Sequence, residues 1–267
     1  MSKGVNVTTP KMQKTPTTIA IINQKGGVGK STTAVNLAAS LGEKRKKVLL
    51  VDLDPQGNAT SGIGGSKVTE KGCIYDALIN DVPIADLIQD VAPANVELVP
   101  ATLNLAGAEV ELVSVISRES KLKRCLAPIK DNYDYVLIDC PPSLGLLTIN
   151  ALTAANSIII PIQCEYYALE GVSKLIETMK IVKNNINPEL DVFGILMTMY
   201  DGRTSLCKQV VEEVQGYFGE KVFKTFIPRT VKLAEAPSYG QPITLYNSRS
   251  KGAEAYRELA KEVIKRG

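Results

Sequence analysis

The sequence predicts a single α/β domain, with a doubly wound, mostly parallel sheet and helices on both faces. Three observations carry this prediction. Short apolar runs rich in β-branched residues recur along the 267 residues without polar alternation, as in strands buried on both faces. Stretches with helical spacing of apolar residues separate these runs. No Pro-, Gly- or Ser-rich linker divides the chain, and alternating strands and helices typically form a right-handed, doubly wound sheet.

The strands are predicted, in chain order, at residues 19–22, 48–51, 96–99, 135–138, 158–160 and 192–196. Helical patterns include one after a glycine-rich loop at residues 35–41, a longer one at 172–182 and a C-terminal one at 256–264. Residues 1–17 carry lysines but no apolar core of a signal peptide, so we expect a flexible N-terminal arm. Residues 18–267 are expected to form the folded domain.

The composition excludes several kinds of protein. Apolar residues make up 45% and charged residues 22%, which is typical of a globular protein. No run approaches the roughly 18 apolar residues that span a membrane, so a transmembrane protein is not expected. The chain has no histidine, which excludes His-based triads and His-ligated metals. Its five cysteines form no Cys-x-x-Cys pair, so we expect free thiols in the cytoplasm.

Positive charge is concentrated near the C-terminus. Residues 221–267 contain ten Lys and Arg against four Glu, although the net charge of the whole chain is only +3. A basic segment on a weakly charged body indicates a polyanionic partner.

The strongest motif is a glycine-rich loop between the first predicted strand and the first predicted helix. In such loops successive backbone N–H groups point at phosphate oxygens, and the following helix adds its positive end. Lys30 is expected to reach the β- and γ-phosphates, and the Ser31 hydroxyl to ligate Mg²⁺. The pattern G-x-x-x-x-G-K-[ST] is not met at its first position, Gln24. The expected nucleotide-binding residues of the loop are Lys25, Gly26, Gly27, Val28, Gly29, Lys30, Ser31 and Thr32.

Lys25 is a second lysine within this loop. Two adjacent cations repel each other unless more phosphate is close by. A long side chain leaving the loop can cross to the phosphates bound by a second subunit, and we expect Lys25 to do so.

Three acidic residues follow predicted strands. Asp52 and Asp54 stand two apart at the end of the second strand, so both are expected to point toward the crevice where open α/β sheets bind ligands. Because no histidine is available, Asp54 is expected to position or polarise the attacking water. Asp139 ends the strand at 135–138 and is expected to hold Mg²⁺ through water. Ser31, Asp54 and Asp139 are the predicted metal-binding residues.

These residues resemble a known family. The loop at 25–31 resembles the deviant Walker A motif of the ParA, MinD and nitrogenase-iron-protein group of P-loop NTPases. Four further phrases resemble the Soj/ParA chromosome-partitioning ATPases more closely, and the likeness covers about residues 18 to 265. They lie at 52–58 (DLDPQGN), 139–147 (DCPPSLGLL), 161–171 (PIQCEYYALEG) and 227–238 (IPRTVKLAEAPS).

The resemblance implies an ATP-driven switch. ATP and Mg²⁺ would join two subunits into a sandwich dimer in which Lys25 reaches across. Pro228 and Arg229 would lie against the base, and hydrolysis would be slow until a ParB-type centromere-binding partner accelerates it. The dimer would bind double-stranded DNA without sequence preference, and the protein would associate with the nucleoid. Arg203 and Lys232 match DNA-binding positions. Arg249 and Lys251, in the basic C-terminal third, are expected either to extend this patch or to be solvated surface charges.

Three alternatives remain open at this stage. A MinD-like positioning ATPase shares the nucleotide residues but should end in a basic amphipathic membrane helix, whereas the apolar stripe at 256–264 is expected to pack in the core. An iron-protein-like reductase needs two cluster-binding cysteines per subunit, and its cluster-binding phrases are missing. A plasmid-type repressor carries an N-terminal helix-turn-helix domain, for which a 17-residue arm is too short.

Overall fold

The computed structural model describes residues 16–68, 70–165, 169 and 172–267. Within them a seven-stranded sheet is formed by β1 (Thr17–Ile21), β2 (Val48–Asp52), β3 (Gln89–Asp90), β4 (Val96–Val99), β5 (Tyr135–Asp139), β6 (Ser157–Gln163) and β7 (Asp191–Thr198). The order across the sheet is β3-β4-β2-β5-β1-β6-β7. Every neighbouring pair is parallel except β3 and β4. The predicted mostly parallel sheet is therefore confirmed.

The α-helices of the described residues are α1 (Lys30–Glu43), α2 (Asn58–Gly62), α3 (Ile74–Ile79), α4 (Leu105–Glu111), α5 (Lys121–Leu126), α6 (Leu146–Ala154), α7 (Val172–Asn185), α8 (Ser205–Phe218), α9 (Val231–Glu235), α10 (Ile243–Tyr246) and α11 (Lys251–Arg266). Short 3₁₀ turns connect several of them. None of these helices is long and apolar enough to cross a membrane.

Two hydrophobic cores lie on opposite faces of the sheet. Along β1, Ile19 and Ile21 belong to the core under α1, α2 and α9–α11, whereas Ala20 belongs to the core under α3–α8. The apolar stripe of α11, including Tyr256, is fully packed in the first of these cores. Because side chains alternate across a strand, a strand covered on both faces needs apolar residues at every position. This explains the continuous apolar runs and confirms the predicted helices on both faces.

The structure adds elements that the apolar pattern did not predict. β3 is a two-residue antiparallel edge strand, too short to show any periodicity. α2–α5 are each seven residues or shorter, so they span at most about two turns of the helical repeat. β1 begins at Thr17, the last residue of the predicted arm, whose backbone N–H donates to the Asp134 carbonyl. Residues 1–15 lie outside the described residues, so the division into arm and domain stays a prediction.

The connections around β1 place a crevice at the carboxyl ends of the central strands. β1 leads into α1 on one face, whereas its neighbours β5 and β6 lead into α6 and α7 on the other face. Ligands of open α/β sheets bind where the direction of winding reverses, beyond the carboxyl ends of the strands. The glycine-rich loop and Asp139 both lie at this point.

Candidate nucleotide-binding site

The glycine-rich loop has a backbone conformation that ordinary side chains rarely adopt. Gly27 has φ 74° and Gly29 has φ 91°, and Gly29 also caps the N-terminus of α1. A Cβ added at Gly26 or Gly27 would meet nothing within 4 Å, so this surface of the loop faces open space. The loop is anchored from below, since the Thr198 hydroxyl donates to the Val28 carbonyl at 2.8 Å. An open loop with glycines at positive φ is typical of a phosphate-binding site.

The two lysines of the loop make different contacts. Lys30 is buried and lines the cleft, and its ammonium donates to the Lys25 carbonyl at 2.9 Å. Burial lowers the pKa of Lys30, while the nearby Asp139 charge opposes this shift. The Lys25 side chain is 42% exposed, and its ammonium pairs with Glu165, just beyond β6. The Lys25 side chain is therefore held by Glu165, whereas the Lys30 side chain lines the cleft.

The structure separates Asp52 from Asp54, although the sequence spacing predicts that both face the crevice. Asp52 is fully buried and accepts hydrogen bonds from the Thr60 N–H and hydroxyl, each at 2.7 Å, and from the Asp54 N–H at 3.1 Å. Burial raises the pKa of Asp52 to about 6, and its hydrogen bonds to Thr60 limit that rise. The expectation that Asp52 faces the crevice was therefore wrong, because its carboxylate accepts the hydrogen bonds that stabilise the turn after β2. Asp54 lines the cleft, as predicted.

Asp139 is buried at the end of β5. Among the described residues neither of its carboxylate oxygens has a hydrogen-bond partner of normal geometry, although the Ser31 hydroxyl lies near enough to lower its pKa. Burial, and next the Asp52 charge, raise its pKa well above the usual range, while the Ser31 hydroxyl and the Lys30 charge oppose the rise. An unpartnered buried carboxylate is costly, and a bound cation removes that cost.

The donor set around Asp139 fits Mg²⁺. No group of three or more His, Cys, Asp or Glu side chains in the described part of the chain is placed to hold a metal. Mg²⁺ instead takes one or two protein oxygens, waters and substrate phosphates. Ser31, Asp54 and Asp139 offer one hydroxyl and two carboxylates beside the loop, so we find that these residues suit the predicted ion.

Two adjoining clefts provide the space for a nucleotide. The first, of about 600 Å³, is lined by the loop from Gly26 to Thr32, by Asp54 and Gln56, and by the later residues Ser238 and Gln241. The second, of about 430 Å³, is mainly apolar and shares Gly29, Thr32 and Met199 with the first. These volumes lie in the usual range for small-molecule sites.

Pro228 and Arg229 line the second, apolar cleft. Their segment runs beside the end of β7, because the Arg229 N–H donates to the Tyr200 carbonyl at 3.2 Å and Pro228 bridges Tyr200. The structure therefore brings both residues next to the loop, because Gly29 and Thr32 line the same cleft. Their contact with a base stays a prediction.

The four predicted DNA-binding residues are all exposed. Arg203 is 90% exposed and forms a two-pronged ion pair with Asp201 at 2.9 and 2.6 Å. Lys232 pairs with Glu235 at 2.9 Å and lies 5.8 Å from the centre of the Tyr246 ring. Arg249 and Lys251 are exposed between α10 and the first turn of α11. DNA phosphates would thus compete with Asp201 and Glu235 for the first two cations.

Some residues of the site were not predicted from the sequence. Glu165 lies within the phrase at 161–171, but its pairing with Lys25 joins positions 140 residues apart, which no local signal reveals. Ser238 and Gln241 line the cleft from the C-terminal third of the chain. The rest of that phrase, at 166–168, 170 and 171, lies outside the described residues.

A glycine-rich loop between a strand and a helix, with a lysine, a hydroxyl and an acid around one cleft and a second, buried acid beside them, defines a P-loop nucleotide-binding protein. The chain matches the AAA domain family over residues 16–192. It is 59% identical over 249 residues to the sporulation initiation inhibitor protein Soj of Bacillus subtilis (strain 168), covering 93% of this chain and 98% of that protein. It therefore belongs to the Soj/ParA chromosome-partitioning ATPases within the AAA domain family.

Two further comparisons agree with this assignment. The chain is 55% identical over 248 residues to the chromosome partitioning protein ParA of Myxococcus xanthus (strain DK1622), covering 93% of this chain and 88% of that protein. Cobyrinic acid a,c-diamide synthase from Mycobacterium smegmatis, solved with bound ADP and magnesium, superposes with a TM-score of 0.83 at 39% identity, covering 94% of each chain. The family resemblance and the fold predicted from the sequence are both confirmed.

Proposed function

We propose that this chain is a Mg²⁺-dependent ATPase that works as a DNA-partitioning switch. ATP joins two subunits face to face, and the dimer binds double-stranded DNA without sequence preference. A ParB-type centromere-binding partner then accelerates hydrolysis and ends the bound state. The observation that carries the proposal is that the glycine-rich loop and Asp54 line one cleft, with the buried Asp139 carboxylate close to Lys30 and Ser31 of that loop, in a chain 59% identical to Soj.

In this proposal the loop holds the phosphates and Lys30 supplies the main positive charge. The Lys30 ammonium now rests on the Lys25 carbonyl, 2.9 Å away, and exchanges that neutral acceptor for phosphate oxygens. The ammonium is charged in both contacts, but phosphate oxygens add the attraction of an opposite charge that the neutral carbonyl does not supply, so the exchange favours binding. Mg²⁺, when bound by Ser31 and Asp139, would neutralise charge that develops on the phosphates. The base would occupy the apolar cleft beside Pro228 and Arg229.

Asp54 would orient the water that attacks the γ-phosphorus, giving ADP and phosphate. Its Oδ1 accepts the Gln56 N–H at 2.9 Å, which holds the carboxylate in one orientation at the cleft. Phosphoryl transfer depends mainly on positioning and electrostatics, so an oriented carboxylate without a histidine suffices. The turn built around the buried Asp52 supplies the rigid base for Asp54.

The placement of Lys25 supports the proposed dimerisation. This lysine sits in the phosphate loop, yet its ammonium pairs outward with Glu165 at the rim. A nucleotide presented by a second subunit offers more negative charge than one carboxylate, so Lys25 would leave Glu165 and reach across. An exposed ion pair is worth only about 1 kcal/mol or less, so its loss is a small cost.

Dimerisation would also create the DNA-binding state. Each subunit presents Arg203, Lys232, Arg249 and Lys251, and a dimer places two such sets on one duplex. Because the logarithm of affinity falls with every released counterion, doubling the phosphate contacts changes affinity by several orders of magnitude at moderate salt.

The test is duplex DNA binding by the wild-type protein with a slowly hydrolysed ATP analogue, with ADP and without nucleotide, across a salt series. We expect tight, salt-sensitive binding only with the analogue. Equal binding without nucleotide would contradict the switch. If the analogue drives dimerisation and no state binds DNA, the nucleotide switch stands, and the target becomes a membrane surface, as in a MinD-like positioning ATPase.

We expect Arg203→Ala to weaken DNA binding about tenfold while leaving ATP-driven dimerisation unchanged. The side chain is exposed and contacts only its own loop, so its loss removes one phosphate contact per subunit without touching the cleft. The slope of log affinity against log salt should fall by about one per subunit. Lys180→Ala, an exposed lysine of α7, is the matched control and should leave both quantities unchanged. Loss of dimerisation together with DNA binding would contradict the assignment of Arg203.

A further inference from the structure

A lysine of a neighbouring loop holds the turn that carries Asp54. The Lys67 ammonium donates to the Gln56 carbonyl at 2.6 Å. Its aliphatic stem lies over the next residue, because a Cβ added at Gly57 would stand 2.6 Å from Lys67 Cε. Lys67 is exposed, but the carbonyl contact and the close packing place its ammonium and the end of its stem against this turn.

Gln56 links this lysine directly to Asp54. Its backbone N–H donates to Asp54 Oδ1 at 2.9 Å, while its backbone carbonyl accepts from Lys67. The next N–H along the chain, that of Gly57, donates to the Asp54 carbonyl at 2.8 Å. The peptide group that orients the Asp54 carboxylate is thus followed immediately by the one that Lys67 holds, so a shift of Gln56 turns the carboxylate.

The loop that carries Lys67 is itself anchored to the sheet. The Ser66 N–H donates to Gln89 Oε1 at 2.9 Å, and Gln89 Nε2 donates back to the Ser66 carbonyl at 3.0 Å. Gln89 begins β3, the antiparallel edge strand. These two hydrogen bonds fix the backbone next to Lys67, so the position of the ammonium is set by the sheet edge.

Lys67 acts on the cleft only through Gln56. Asp54 and Gln56 line the cleft of about 600 Å³, whereas Lys67 lines a separate groove of about 400 Å³ with Cys73, Asp76 and other residues. These positions do not indicate that Lys67 binds the nucleotide directly. They indicate instead that Lys67 orients the turn that contains Asp54 and Gln56.

We propose that Lys67 is a positioning residue for ATP hydrolysis, which holds Gln56 so that Gln56 aims the Asp54 carboxylate at the attacking water. The proposal rests on the proposed hydrolytic role of Asp54. It predicts that losing the Lys67 donor lowers kcat and leaves ATP affinity unchanged, because the phosphate loop is untouched while the carboxylate loses its orientation. Misplacing a catalytic group by a fraction of an ångström to about 1 Å costs about tenfold or more in rate.

The test compares Lys67→Met with Lys67→Arg in the full chain. Methionine keeps an unbranched stem over Gly57 and removes the donor, whereas arginine keeps a donor for the Gln56 carbonyl. We expect Lys67→Met to have a kcat about tenfold lower with KM and ATP-analogue affinity within twofold of wild type, and Lys67→Arg to recover most of the rate. Lys180→Ala removes the same charge from the exposed face of α7 and should have wild-type kinetics.

Asp54→Ala, measured alongside, separates the two proposals. If Asp54→Ala turns over at the wild-type rate, the hydrolytic role of Asp54 is wrong, and the role of Lys67 is wrong with it. If Asp54→Ala is inactive and Lys67→Met has wild-type kcat, only the inference about Lys67 is overturned. A Lys67→Met variant with raised KM and unchanged kcat, or a Lys67→Arg variant without recovery, would also overturn it. A thermal unfolding curve for each variant shows that a lower rate does not reflect unfolded protein.

Discussion

Replacing Lys30 with alanine is expected to abolish ATP binding at physiological concentrations. Lys30 is the buried lysine of the cleft. Burial lowers the pKa of its ammonium, and the negative charge of Asp139 opposes that shift. Removing one partner of a buried, hydrogen-bonded charge pair costs about 3 to 5 kcal/mol, which corresponds to roughly a hundredfold to several thousandfold in affinity. Calorimetric titration with ATP and Mg²⁺ measures this loss directly.

Lys25→Ala is the matched control, because it removes the other lysine of the same loop. Lys25 pairs with Glu165 at the rim, so this variant should bind ATP within a few-fold of wild type and fail to form the ATP-dependent dimer. Sedimentation with an ATP analogue distinguishes the two effects. If Lys25→Ala lost nucleotide binding as Lys30→Ala does, or if Lys30→Ala retained it, the division of roles between the two lysines would be contradicted.

Asp54→Ala is expected to trap an ATP-bound, DNA-bound dimer that does not turn over. Among the described residues that line the cleft, Asp54 is the acidic one, and the Gln56 N–H orients its carboxylate there. Loss of a positioned general base typically lowers the rate by about two to four orders of magnitude. Phosphate release gives the rate, and duplex binding with ATP, with ADP and without nucleotide gives the state of the switch.

The ATP-bound Asp54→Ala protein should bind duplex DNA as the wild-type protein does with a slowly hydrolysed analogue, and the binding should weaken with salt. Asp54→Asn keeps the size of the side chain and should show the same defect, which separates loss of charge from loss of packing. Wild-type turnover would remove Asp54 from its role. Loss of ATP binding would instead assign Asp54 mainly to the metal.

The glycine-rich loop was predictable because its chemistry is contiguous. The residues from Gly26 to Ser31 stand next to one another, and the positive φ of Gly27 and Gly29 is what their glycines permit. Asp139 was predictable for a related reason, since the carboxyl end of a buried parallel strand always lies at the same edge as the loop. Six of the seven strands in the described residues followed from apolar runs that the two-sided burial of the sheet requires, whereas the short β3 and α2–α5 did not.

The division of labour between Asp52 and Asp54 was not predictable from spacing. Asp52 ends β2 and Asp54 follows two residues later, but the Asp52 carboxylate accepts hydrogen bonds from Thr60 and from the Asp54 N–H, while Asp54 lines the cleft. That outcome depends on how the chain folds back through α2 after the turn. The same holds for Lys67, which reaches Gln56 from a loop anchored on an edge strand too short to predict.

The sequence by itself therefore determined the class of fold, the phosphate loop and the family, because each depends on residues that are close in the chain or on a periodic pattern. Only the tertiary structure decided which of Asp52 and Asp54 lines the cleft, that Lys25 pairs with Glu165, and that the Lys67 ammonium contacts the Gln56 carbonyl. These contacts join residues up to 140 positions apart. Their energies come from burial and from hydrogen bonds between separate segments, and neither exists until the chain has folded.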